Sequence, residues 1–147
     1  MIPVTASDPA KPEVAFSNRQ DVPVDEEALG ALAVRTLAAE GVGDAELSVS
    51  FVRLDEMADL HVRYMHEEGP TDVLSFPLDD ADEDGRRILG DVVICPEYAG
   101  RNNPDVNAEL RLLLVHGILH LLGYDHGEDA ERAEMWARQE RYSGVRA

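Results

Sequence analysis

Hydrophobic and polar positions along this chain alternate with period two in some stretches and recur at helical spacing in others, and the changes of period mark out the elements. Glu13 to Asn18 (EVAFSN) alternates and reads as a short strand. Asp25 to Glu40 (DEEALGALAVRTLAAE) sets carboxylates in its first turn, repeats apolar residues at helical spacing and is followed by Gly41, which predicts an amphipathic helix. Ala45 to Leu54 puts Leu47, Val49 and Phe51 on one face of a strand, and Asp55 opens a second helix running to about His66. A short apolar strand, Gly69 to Pro77 (GPTDVLSFP), lies between turn signals and leads into an acidic loop, Asp79 to Gly85. That loop lacks EF-hand spacing and reads as a solvated turn rather than a calcium site. Ile88 to Cys95 (ILGDVVIC) is the most strand-like run. Asn107 to Leu122 is a helix apolar on nearly every side, so it belongs in the middle of the fold. Glu128 to Tyr142 is a closing helix with charged faces that packs Met135 and Trp136 inward. Strands and helices interspersed without regular alternation predict an α+β layer of about four strands with helices packed on it.

The length of 147 residues fits a single domain with its own core. Residues 1–12 carry three prolines and little apolar content and read as a mobile arm, leaving 13–147 as that domain. No apolar run approaches the roughly 18 residues a membrane-spanning helix needs. The start of the chain has neither the basic nor the apolar segment of a secretory signal, so the expected compartment is the cytoplasm. Cys95 is the one cysteine and reads as a packed thiol. The formal net charge of −17 repels polyanions and argues against non-specific nucleic-acid binding. All but one of the 13 cationic residues are arginine, however, so a local phosphate-binding site inside a negative envelope fits the composition.

The chemistry concentrates in 116-HGILHLLGYDH-126. Residues four apart stand one turn above each other on a helix, so His116 and His120 project from one face and can share an ion. Gly123 is the residue type that ends a helix in a left-handed conformation, which swings the chain back and lets His126 supply a third nitrogen. Such an i,i+4 pair alone is often two hydrogen-bonded core histidines. The third histidine at the matching distance turns the reading toward a metal. Three protein ligands leave one coordination position open, as in catalytic rather than structural zinc. Zinc peptidases with this spacing carry a glutamate after the first histidine to move protons, and here that position is Gly117. A phosphodiester is the alternative substrate: its anionic oxygen can bind the metal, and RNA brings its own 2′-hydroxyl. The acid-base role then falls to Asp125, to a substrate group or to water.

The HGILHLLGYDH motif, with GPTDVLSFP, ILGDVVIC and the closing MWARQE in the same order, resembles the YbeY-type endoribonucleases from about Glu13 to Tyr142. The resemblance implies one zinc ion held by His116, His120 and His126, and a central histidine-bearing helix beside a four-stranded mixed sheet. It also implies a single-stranded ribosomal RNA substrate, with no DNA and no membrane as partner. A role in 16S ribosomal RNA 3′-end maturation and ribosome quality control follows, alongside the ribosome or small-subunit assembly proteins. One position departs from the pattern. Many members carry an arginine five residues before the proline of PTDVLSF, where this chain has Met65, and their asparagine four residues earlier is His61. Arg63 is the neighbouring candidate for the phosphate, although on a helix it points about 200° away. Arg53, Arg86 and Arg101 are the others.

Several residues keep two readings. Asp72 and Ser75 could line the cleft, while Thr71 shapes a turn. Asp91 could orient a ligand histidine or face solvent on an edge strand. His61 and His66 read as surface histidines, and Trp136 as core rather than a base-stacking platform. The leading reading is a zinc-dependent endoribonuclease. A ribosome-associated binding or assembly factor with a mainly structural zinc is the alternative, and a peptidase using Asp125 as its base is disfavoured by Gly117.

Overall fold

The computed structural model describes residues 11–83, 85–125 and 127–145. Its elements run β1 (Glu13–Asn18), α1 (Glu26–Ala39), β2 (Ala45–Phe51), α2 (Leu54–Met65), β3 (Val73–Ala81), β4 (Arg87–Ile94), α3 (Pro96–Asn102), α4 (Val106–Leu121) and α5 (Asp129–Ser143). The helix starts have local chemical causes. Asp25 accepts the Ala28 N–H at 3.0 Å before α1, and Asp105 accepts the Ala108 N–H at 3.1 Å before α4, each satisfying an otherwise orphaned donor. Pro96, fixed in φ and without an N–H, opens the short α3.

The four strands form one sheet in the order β1-β2-β4-β3. β1, β2 and β4 are parallel and β3 is antiparallel to β4, giving the four-stranded mixed sheet that the family resemblance implies. One face carries the main core, where Leu37, Val49, Phe51, Leu114, Val115 and Ile118 are wholly buried between the sheet and α1, α4 and α5. The other holds a smaller cluster of Val52, Met57, Leu74, Val93 and Cys95, with α2 over it. Cys95 is thus the packed thiol expected, and burial pushes its pKa up. Of the N-terminal arm, residues 1–10 lie outside the described residues. Pro12 is buried, and the Lys11 carbonyl accepts from Arg86 at 2.8 Å.

Three expectations need correction. The acidic run is not all loop: β3 continues through it to Ala81, because Asp80 pairs with Ile88 and Ala81 with Arg87 after an irregularity beyond Pro77. Backbone pairing of this kind needs no apolar side chain. α3 lies where no element was expected, and its seven residues are too few to display a helical period. Asp91 lies on the central β4, not an edge strand, and is exposed opposite Phe76 and Ser48 on the face away from α4. It therefore orients neither α4 histidine.

Candidate metal centre and its cleft

His116 and His120 sit one turn apart on α4 with ring centroids 4.8 Å apart. Trp136 meets His116 edge-on at 6.1 Å. The orientation of His116 comes from α5. Gln139, 3% exposed, sets its Oε1 2.7 Å from His116 Nδ1. An amide oxygen only accepts, so Nδ1 carries the proton and Nε2 keeps its lone pair for a metal. This part of the donor set suits zinc. His126, the third expected ligand, lies outside the described residues. Among the described residues no group of three or more His, Cys, Asp or Glu could hold an ion.

The absent glutamate has a packing cause. A Cβ on Gly117 would stand 2.6 Å from Val92 Cγ1 and 3.0 Å from Val92 Cγ2, with Ser75 Oγ at 3.2 Å. Val92 is β-branched and stiff, so it has no easy way to withdraw. Here α4 lies so close on β3 and β4 that Ser75 Oγ donates to the Gly117 carbonyl at 3.2 Å. Space that would hold a peptidase base is occupied by the sheet.

At its far end α4 stops as the sequence predicts. Gly123 has φ +100°, and the N–H groups of Gly123 and Tyr124 return to the carbonyls of His120 and Leu119, both at 3.0 Å. The chain leading toward His126 is then clamped from the side. Tyr124 Oη donates to Glu40 Oε1 at 2.7 Å, Arg138 Nη1 reaches Glu40 Oε2 at 2.6 Å, and Tyr142 Oη donates to the same carboxylate. Burial alone would raise the Glu40 pKa, but hydrogen bonds from Tyr142, Tyr124 and Arg138 outweigh it and hold the carboxyl below its ordinary value. Burial, and then that same carboxylate, push the Tyr124 hydroxyl up to about 12.

A cleft of about 470 Å³ opens beside the two histidines, lined by His61, Met65, Glu67, Ser75, His116 and His120 among others. His61 belongs to this cleft and not to the surface. Its side chain is 13% exposed, with Nε2 3.1 Å from Glu67 Oε2 and Nδ1 2.9 Å from the Gly69 carbonyl. Both ring nitrogens therefore face acceptors. The sequence signal for this site is faint: His61 has no histidine one turn away, and Glu67 lies beyond a helix end at His66, which takes φ 59°. Gln139 was missed for a similar reason, being one polar residue among many on α5.

The other candidates lie elsewhere. Arg63 is bound to Asp59 at 2.8 Å with its side chain 62% exposed, and it does not line the cleft. Arg53 pairs with Asp21, Arg86 with Glu13, and Arg101 lies over the Tyr98 ring. Asp125 lines a separate hollow with Tyr124, Ala130 and Glu134. Asp72 accepts from the Val73 N–H at 2.8 Å and from Asn102 at 3.1 Å, and it lines a second cavity on the other side of His116. Ser75 reaches the cleft as one reading held.

Fold and site together define an α+β protein whose cleft is built around a histidine pair on a helix packed flat against a mixed sheet. The family model for Endoribonuclease YbeY matches residues 15–144, and the chain belongs to that family. It is 52% identical to an Endoribonuclease YbeY of Parafrankia sp., covering 78% of this chain and 81% of that protein. A relative of the same name from Thermobifida fusca is 51% identical, with 86% and 88% covered. The solution structure of TM1509 from Thermotoga maritima superposes with a TM-score of 0.59 at 31% identity, covering 88% of this chain and 86% of that one.

Proposed function

We propose that this protein is a zinc-dependent endoribonuclease that cuts single-stranded RNA, and that it acts in the cytoplasm in 16S ribosomal RNA 3′-end maturation and ribosome quality control. The observation that carries the proposal is the pairing of His116 Nδ1 with Gln139, which makes Nε2 the unprotonated nitrogen of a histidine one turn from His120 at an open cleft. Membership of a family whose curated relatives are named endoribonucleases supports the reaction class. His116, His120 and His126 would hold the ion. When bound there, zinc would supply Lewis acidity toward water and phosphate.

The residues of the chain divide the remaining work. Gly117 offers no side-chain base, which suits RNA, whose 2′-hydroxyl lies beside each phosphate, and gives no comparable help with DNA. His61, set between Glu67 and the Gly69 carbonyl, lines the cleft beside the histidine pair, positioned to meet a phosphate or exchange a proton. Asp125 precedes the third proposed ligand directly in sequence and serves as the acid-base group only by leaving the hollow it lines with Tyr124 and Glu134. Arg63 reaches a phosphate only by leaving Asp59. A chain of net charge −17 gains little from bulk attraction to RNA, so small-subunit assembly proteins or the ribosome bring it to its substrate.

The test is cleavage of an end-labelled single-stranded RNA by zinc-loaded protein beside His116→Ala purified identically. Cutting by the parent and none by the variant is expected; equal cutting by both, or none by either on RNA and on small subunits, overturns the proposal. His61→Ala is expected to lower the rate about 10²-fold with zinc content unchanged.

A further inference from the structure

His116 stands between two hollows. Beyond the cleft, on the side of the ring that meets Gln139, lies a cavity of about 400 Å³ lined by Asp72, Asn102, Glu109, Leu112, Trp136 and Gln139 among others. Apart from His116 and Gln139, its polar groups have no part in the chemistry proposed above. Glu109 comes from the first turn of α4 and is 8% exposed. Asn102 Nδ2 donates to Glu109 Oε2 at 3.3 Å and to Asp72 Oδ2 at 3.1 Å. That amide is the one hydrogen-bond donor to Glu109 among the described residues. A carboxylate accepts at two oxygens, so Glu109 brings to the cavity acceptor capacity beyond what Asn102 uses, on a side chain that is otherwise largely covered.

The chemistry narrows the occupant. Two carboxylates repel a phosphate, so the RNA backbone does not enter. The Asn102 amide fills the place between Asp72 and Glu109 that a bridging cation would need. What remains of an RNA strand is a neutral base with N–H donors on its edge. The indole of Trp136 and the Leu112 side chain supply apolar walls of the kind on which bases stack. We propose that this cavity is a nucleobase subsite, taking a base with an exocyclic amino group (adenine, cytosine or guanine) from the strand in the cleft and rejecting uracil. The proposal rests on the endoribonuclease reading for its substrate. Uracil presents two carbonyl oxygens around a single N–H, and those oxygens would face carboxylate lone pairs. An amino group donates to a carboxylate, as cytosine N4 does to Glu or Asp in nucleic-acid recognition. Burial raises the Glu109 pKa, and the charge on Asp72 adds to this against the lowering by Asn102.

Trp136 is the sole tryptophan of the chain, so its fluorescence reports on the cavity directly. The experiment titrates zinc-loaded protein with AMP, CMP, GMP and UMP, which are not cleavage substrates. Saturable quenching by the first three is expected, with UMP requiring roughly tenfold higher concentration. Glu109→Gln turns an acceptor into a donor and should narrow that gap to about twofold; Asn102→Ala, on an exposed residue, should narrow it without a risk to folding. Equal quenching by UMP overturns the proposal, as does a gap that persists unchanged in both variants. Cleavage of a mixed-sequence RNA by the same preparation separates the two readings. Cutting without base-dependent quenching removes the subsite and leaves the nuclease, whereas base-dependent quenching without cutting removes the nuclease and leaves the subsite.

Discussion

On one face of the sheet, α1, α4 and α5 close over a continuous core, whereas on the other α2 covers a cluster of Val52, Met57, Leu74, Val93 and Cys95 and turns Val62, Tyr64 and Met65 to solvent at about half exposure. The histidine pair belongs to the deep face. His116 and His120 stand on a helix locked by Leu114, Ile118 and Leu119, so their geometry is set before anything binds. The opposite wall of the cleft, with His61, Met65 and Glu67, belongs to the thin face. Few buried contacts hold that wall, which places it at the low end of local stability. Across the cleft, a rigid histidine pair thus faces an adaptable wall.

That contrast can be broken by mutation. Leu114→Ala, in the deep core, is expected to cost about 3–5 kcal/mol, and Met57→Ala, equally buried but in the small cluster, about 2–3 kcal/mol, since the thinner side collapses more readily into the space left. Urea denaturation gives both values, and equal losses would mean that the two faces are packed alike. Gly117→Ala comes next. Alanine ordinarily stabilises a helix over glycine by about 1 kcal/mol. Here the contact with Val92 reverses the sign, and a loss of about 1–3 kcal/mol is expected from the same denaturation curves.

The smallest of these effects depends on pH. The pKa of Glu40 is lowered in the folded protein, so its stabilisation is present above the unfolded carboxylate pKa and is lost as pH falls through the folded value. Glu40→Gln should therefore cost about 1–2 kcal/mol at pH 7, with the difference from the parent shrinking as the pH drops below the ordinary carboxylate range. Melting temperatures of both proteins from pH 7 to pH 3 measure this. A difference that stays constant across the range would remove the charge on Glu40 from the clamp.

Sequence patterning made the deep face legible and the thin face poorly so. The α4 helix announces itself by its apolar density, its histidine spacing and Gly123, because all three are local properties of a helix and its end. The strands of the parallel core alternate or run apolar, so β1, β2 and β4 fell close to their expected bounds. His61 and Glu67 are different: they reach the cleft through the docking of α2 and the left-handed turn at His66, which no periodicity encodes. Gln139 looks like one more polar residue on a charged helix until α5 is laid against α4. Gly117 could be read as the loss of a base, but the reason for it needs Val92, which lies in a separate strand.

Contact between Gly117 and Val92 also bears on how such a site can change over evolutionary time. A single substitution cannot convert this centre into a glutamate-assisted hydrolase, because any side chain at 117 meets β4 before it can reach a substrate. The path would have to start by shrinking residue 92, which opens a void in the core and brings no catalytic advantage at that step. The sheet thus isolates this histidine site from the peptidase chemistry that its spacing would otherwise invite.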